Sequence, residues 1–195
     1  MAESIKTKKA LAQALKKLLT EKDFEKISIG EICDECDMSR KSFYYHFHDK
    51  YELVIWIFRT EFWDKFRART DGAPLESLSR LAKYFYTNRD FYKPILAVSG
   101  QNSFSEYFSE LCRDSFEKRI REQLDEIVIN DLDVGIYSDF FVHTIKRWLT
   151  ANDSRDDATF VRDLGNSIIF GKEVIGAIID PKSKSSRTVK AQKSD

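Results

Sequence analysis

Ser28-Ile-Gly-Glu-Ile-Cys-Asp-Glu-Cys-Asp-Met-Ser-Arg-Lys-Ser-Phe-Tyr-Tyr-His-Phe-His-Asp-Lys50 reads as two short helices joined by a tight turn. Ser28 and Glu31 form an S-x-x-E capping box, in which each side chain satisfies a free amide of the first turn, so a helix starts there. Ile32, Cys33 and Cys36 give that helix its buried side. The turn falls near Asp37, where the backbone needs a positive φ that glycine adopts freely and aspartate at modest cost. Ser39 then caps a second helix, on which Phe43 and Phe47 share one side at i, i+4 spacing.

The rest of that second helix carries groups suited to duplex DNA. Ser39, Arg40, Lys41, Ser42, Tyr44, Tyr45 and His46 are the candidate contacts, with Lys50 just beyond. Arg40 and Lys41 are placed to reach guanine O6 and N7 in a major groove, while hydroxyl, imidazole and ammonium groups hold phosphates and set register. Lys50 follows Asp49, the expected cap of the next helix, so a phosphate there would meet an ammonium and a positive helix end.

On these residues the chain resembles the TetR family of bacterial transcriptional regulators. Ile-Cys-Asp-Glu-Cys-Asp-Met-Ser followed by Arg-Lys-Ser-Phe-Tyr-Tyr-His-Phe-His-Asp-Lys follows that family's pattern of Ile-Ala-x-x-Ala-Gly-Val-Ser, a variable pair, a small residue and a Tyr-x-His/Tyr-Phe-x-x-Lys ending. The resemblance implies that Tyr44 and Lys50 contact phosphates, that His46 lies near the backbone or a base, and that Arg40, Lys41 and Ser42 face the groove. One position departs: Asp37 stands where the family has its turn glycine.

The chain of 195 residues is 42% hydrophobic, enough to bury a substantial core. Its 32 basic and 32 acidic residues cancel, so any affinity for DNA must come from a local surface. From Met38 to Lys50, Arg40, Lys41 and Lys50 against Asp49 leave an excess of two positive charges. With 7 glycines, 3 prolines and no convincing alternation of apolar and polar residues, the expected fold class is all-α. No basic-then-apolar leader is visible and the longest apolar run, Leu53 to Phe58, is too short for a bilayer, so no membrane partner and a cytoplasmic location are expected. Three cysteines fit reduced thiols better than a disulfide framework.

A first helix is expected from Ser4 to Glu21, with Leu11, Leu15, Leu18 and Leu19 on one face. Tyr51 to Phe66 make a linking helix in which Leu53, Trp56, Ile57 and Phe58 point into the protein. Asp71-Gly-Ala-Pro74 breaks the chain, and helices follow with further breaks near Asn88, Ser99-Gly100, Ile129 to Asp133 and Asn152 to Ser154. Ser103-Phe-Ser-Glu106 is another capping box, opening a helix through Leu111, Phe116 and Leu124. This organisation gives a DNA-binding domain over residues 1–50, a helical regulatory and dimerisation domain over 51–180, and a basic, disordered tail over 181–195. Tyr84 to Tyr92 and Ile145-Lys-Arg-Trp148-Leu149 resemble the regulatory half of a low-GC bacterial TetR subgroup that includes activators of dihydroxyacetone kinase genes.

Leu164, Ile168, Gly171, Ile175 and Ile179 form a continuous apolar stripe on the last helix, which must be covered. With Tyr137, Phe141, Ile145 and Trp148 on a neighbouring helix, it is expected to make half of a four-helix homodimer interface; burial inside one protomer is the other reading. A homodimer suits a palindromic operator, because two recognition helices span successive major grooves about 34–36 Å apart. Aromatic residues, 13% of the chain, crowd the second half. The family resemblance implies a site there for a small apolar or aromatic effector.

Cys33-Asp-Glu-Cys36 has the C-x-x-C spacing of zinc and redox sites. His46 and His48 are too close together and too early for a zinc finger, and the acidic pair between the thiols disfavours thiolate chemistry. No metal and no cofactor are expected. No Gly-rich phosphate loop, nucleophile elbow or H-E-x-x-H occurs, His143 is expected in or beside the helical core, and an enzyme is not expected. The reading is a homodimeric repressor responding to a small molecule; the alternative is an activator or an adaptor working through a protein partner.

Overall fold

The computed structural model describes residues 2–67, 74–98, 103–123, 130–151 and 155–179. Ten α-helices occur among the described residues, with no strand. They are α1 (Ala2–Leu18), α2 (Ile29–Glu35), α3 (Arg40–His46), α4 (Lys50–Phe58), α5 (Asp64–Arg67), α6 (Pro74–Thr87), α7 (Arg89–Ala97), α8 (Phe104–Gln123), α9 (Asp131–Thr150) and α10 (Asp157–Ile179). A 3-10 turn, Phe24–Lys26, lies between α1 and α2, and a π-helical turn, Arg59–Trp63, joins α4 to α5. Leu124, the Gly72, Gly100 and Asn152–Ser154 breaks and the 181–195 tail lie outside the described residues.

The chain divides into two compact units, Met1–Ser154 and Arg155–Asp195. The helices on either side of residue 50 therefore share one unit, because α4 supplies apolar side chains to both ends of it. Leu53 and Val54 are buried, as are Leu11, Leu15, Phe24, Ile32, Phe43 and Phe47, and α4 meets that part of the core through Tyr51 on Phe24 at 5.3 Å and Trp56 on Phe47 at 6.0 Å. Farther along α4, Phe58 is wholly buried and has Phe62, Trp63, Tyr84, Phe85, Tyr92, Phe104 and Phe108 around it at centroid distances of 5.4 to 6.3 Å. Each fully buried ring of this kind contributes about 1.5–3 kcal/mol by leaving water.

Two hydroxyls lie within that aromatic cluster, and they satisfy each other. Tyr84 and Tyr92 are 2.7 Å apart oxygen to oxygen, and Tyr84 also reaches Glu61 at 3.5 Å. Burial raises the Tyr84 and Tyr92 pKa values, so both stay protonated and able to donate. Glu61 in turn accepts from Lys16 of α1 at 2.6 and 2.8 Å, tying the first helix to the π-helical turn. That turn is a local widening of one long helix: the Asp64 amide donates to the Arg59 carbonyl, five residues back.

Side-chain caps set most of the helix starts. Ser28, Ser39, Asp49 and Ser103 accept from the amides of Glu31, Ser42, Glu52 and Glu106, as the sequence pattern predicts. Asn130 and Asp133 add a capping box at the start of α9.

Candidate nucleic-acid interface

Residues 28 to 50 fold as the two helices that their caps and apolar spacing imply. In the α2 capping box the Ser28 hydroxyl accepts from the Glu31 amide at 3.2 Å, and Glu31 accepts from the Ser28 amide at 2.8 Å. The Glu31 carboxylate also takes the Lys22 ammonium; Lys22, then Ser28, hold its pKa at about 2, far below the usual 4.5. Past α2, Asp37 has a φ of 54°, the left-handed turn expected there, and the Met38 amide returns to the Cys33 carbonyl at 2.9 Å. This reversal aims α3 away from α2.

Phe43 and Phe47 anchor α3. Both are buried, their rings are 5.8 Å apart, and Phe47 meets Trp56 of α4 edge-on at 6.0 Å. Their burial turns the other face outward: Arg40, Lys41, Tyr44 and Tyr45 are exposed, and Ser42 and His46 half-buried. Tyr45, 82% exposed, has its ring edge-on to His46 at 4.9 Å. The Tyr45 hydroxyl is left to solvent, where it suits a phosphate.

Arg40 does not extend freely. Its guanidinium lies across Gly30, so close that a β-carbon on Gly30 would sit 2.4 Å from Nη2. Gly30 therefore leaves room for the side chain. Lys8 of α1 was not among the sequence candidates, yet its ammonium lies 5.1 Å from the centre of the Phe47 ring, beside the end of α3. The run Lys6-Thr-Lys-Lys9 carried that signal.

Lys50 is placed differently from the sequence expectation. Its ammonium donates to the carbonyls of Phe24, Glu25 and Ile27 at 2.7, 3.0 and 2.8 Å and lies 4.7 Å from the centre of the Phe24 ring. Three carbonyls at the end of a 3-10 turn collect negative partial charge and draw the cation inward. Burial lowers its pKa, with Glu25 and Glu31 opposing.

Cys33 is buried and Cys36 half-buried, and both pKa values are raised chiefly by burial. Cys36 donates to the Ile32 carbonyl, a packing role rather than a nucleophilic one. Among the described residues no three metal-ligating side chains converge.

Residues 11–56 match the model of bacterial regulatory proteins of the tetR family, and residues 73–169 match a model of a transcriptional regulator C-terminal region named for TetR. The chain belongs to the TetR family. It is 28% identical over 124 residues to the HTH-type dhaKLM operon transcriptional activator DhaS of Lactococcus lactis, a match spanning 63% of this chain and 65% of that protein, just under two thirds of its length. Among solved structures, the dihydroxyacetone kinase operon activator DhaS covers 87% of this chain and 98% of its own at 20% identity and a TM-score of 0.60. A TetR regulator from Streptococcus agalactiae covers 83% and 92% at 23% identity and a TM-score of 0.64. NalD, the secondary repressor of the MexAB-OprM efflux pump of Pseudomonas aeruginosa, covers 88% and 98% at 20% identity and a TM-score of 0.55. These likenesses show a TetR fold. No helix among the described residues is long and apolar enough to cross a membrane.

In this TetR protein the residues expected at a subunit interface separate into two groups. Ile145 and Trp148 of α9 are buried within the protomer, Trp148 stacked on Tyr86 at 6.2 Å, and Phe141 is half-buried edge-on to Phe116. The cause is the phase of α9, whose inward face is Val134, Ser138, Val142, Ile145 and Leu149. Its free apolar face is Leu132, Ile136 and Phe140 at i, i+4, i+8, with Tyr137 at the edge. On α10, Leu164 is buried, but Ile168, Ile175 and Ile179 are exposed, Gly171 lies among them, and Phe170, Val174 and Ile178 widen the exposed surface. His143 is exposed, not in or beside the core.

The aromatic residues expected to surround an effector are largely filled against one another. An open groove of about 610 Å³ lies elsewhere, lined by His48, Asp49, Glu52, Ile55, Ser103, Glu106, Tyr107 and Glu110. Its carboxylates make it unlike an apolar site.

Proposed function

We propose that this TetR-family regulator binds duplex DNA as a homodimer, inserting α3 of each copy into successive major grooves of a palindromic operator. The observation that carries the reading is the division of α3 into two faces: Phe43 and Phe47 lock it to the core while Arg40, Lys41, Tyr44 and Tyr45 are left to solvent. Arg40 and Lys41 read bases; Ser39, Ser42, Tyr44, Tyr45 and His46 hold the backbone. The exposed α10 stripe Ile168, Ile175 and Ile179 supplies apolar surface for the second copy. Such a regulator works in the cytoplasm, without catalysis or a cofactor.

Effector response belongs to the aromatic core. Phe58 sits on the same helix as Leu53 and Val54 of the DNA-binding end, so a small apolar or aromatic ligand that displaces rings around Phe58 moves α4. Repression is the first reading of the output. The relationship to a dhaKLM operon activator favours activation as the second.

Selection of bound duplexes from random DNA, followed by gel retardation with the protein's own upstream region, tests the proposal. The expected result is an inverted repeat whose half-sites lie about one helical turn apart, bound by two chains. Failure to retard any duplex would overturn it. Metabolites that release or strengthen the complex then identify the effector, and a transcription assay on the selected operator fixes the sign.

A further inference from the structure

We propose that Lys50 is a positioning residue whose ammonium clasps the Phe24–Lys26 turn to the start of α4, and so fixes where α2 begins, instead of neutralising an operator phosphate. This rests on the DNA-binding reading above. An ammonium has three protons, and three carbonyls receive them: Phe24 at 2.7 Å, Glu25 at 3.0 Å and Ile27 at 2.8 Å. The aromatic faces of Phe24 and Tyr51 add two favourable contacts, at 4.7 and 5.9 Å to the ring centres.

Location makes the clasp consequential. Ile27 immediately precedes Ser28, the cap of α2, so holding its carbonyl holds the point from which α2 and then the left-handed turn and α3 set out. A lysine in the first turn of α4 is also electrostatically disfavoured by the positive helix end. The carbonyls at the end of the 3-10 turn offset that, which explains a cation here without calling on DNA. All three ammonium protons already have carbonyl acceptors, so a phosphate would have to displace at least one of them, whereas Arg40 and Lys41 are already exposed.

The test compares Lys50→Gln with Lys41→Gln on a selected operator duplex. Each phosphate neutralised contributes about −0.9 to the slope of log affinity against log salt. Lys50→Gln is expected to weaken binding at every salt concentration while leaving that slope at the wild-type value, and to speed amide hydrogen exchange from Phe24 through Glu31 in the free protein. Lys41→Gln, which removes an exposed cation assigned to base reading, is expected to weaken binding while leaving that exchange unchanged. A slope flattened by about 0.9 in Lys50→Gln, or unaltered exchange in its Phe24–Glu31 segment, overturns the proposal. Should Lys50→Gln not fold, the wild-type protein decides: scalar couplings from the Lys50 Nζ to the three carbonyl carbons are expected to persist in the DNA complex. Their replacement by coupling to phosphorus overturns the assignment. If no duplex binds, the DNA-binding reading fails on its own, and exchange and couplings in the free protein still decide whether the clasp exists.

Discussion

Arg40 and Tyr44 lie one turn apart on α3, and their losses should be distinguishable. Arg40→Ala is expected to lower operator affinity by about 1–3 kcal/mol and to relax preference at one base pair, the cost of a bidentate guanine contact. Tyr44→Phe, which removes only a hydroxyl, should weaken binding to all sequences alike. Parallel binding curves on the operator and its single-base variants check both. Glu31 gives a separate prediction from acid titration. Its pKa is held at about 2 against an ordinary 4.5, so its contribution to stability is complete above pH 4.5 and is lost as pH falls through about 2. The difference in melting temperature between wild type and Glu31→Gln should therefore shrink over that window. Cys112 is 7% exposed, with a thiol that burial pushes up to about 12. Alkylating reagents are expected to leave it intact until the protein unfolds.

Helices 2 and 3 owe their geometry to caps and one left-handed residue, features that sequence exposes because they are made within a few positions of the chain. Ser28, Glu31, Asp37 and Ser39 could all be placed that way. Replacing Asp37 by glycine should raise stability by up to about 1 kcal/mol, since the φ of 54° no longer opposes a side chain. It should also strengthen DNA binding by removing a carboxylate; urea melts and affinity measurements report the two effects. Other features escaped the sequence. Lys50 finds its acceptors 23 to 26 positions away, a tertiary outcome with no local pattern. Helix α9 is apolar on two sides, Val134 to Leu149 inward and Leu132 to Phe140 outward, so spacing alone gives no single phase, and Ile145 and Trp148 turn inward while Tyr137 stays exposed. Gly30 as the resting place of Arg40 likewise appears only once both helices are in place.

For the molecule as a whole, one aromatic cluster serves two tasks: it stabilises the regulatory end and fastens the helix that leads to DNA. Phe58→Ala should cost about 3–5 kcal/mol, seen as a lowered denaturant midpoint, because seven rings lose their common neighbour. The exposed stripe of α10 predicts a different failure. Ile175→Glu should leave each protomer folded and yield monomers in sedimentation, with operator affinity falling as the second recognition helix is lost.

The widened turn at Arg59–Trp63 bears on any attempt to exchange heads between relatives. Each extra residue in a helix rotates everything downstream by about 100°. A chimera that joins a donor's head and regular helix to this protein's body without the turn would present that body at the wrong azimuth. Grafts from this protein must carry the surplus position with them, or leave their rings facing water.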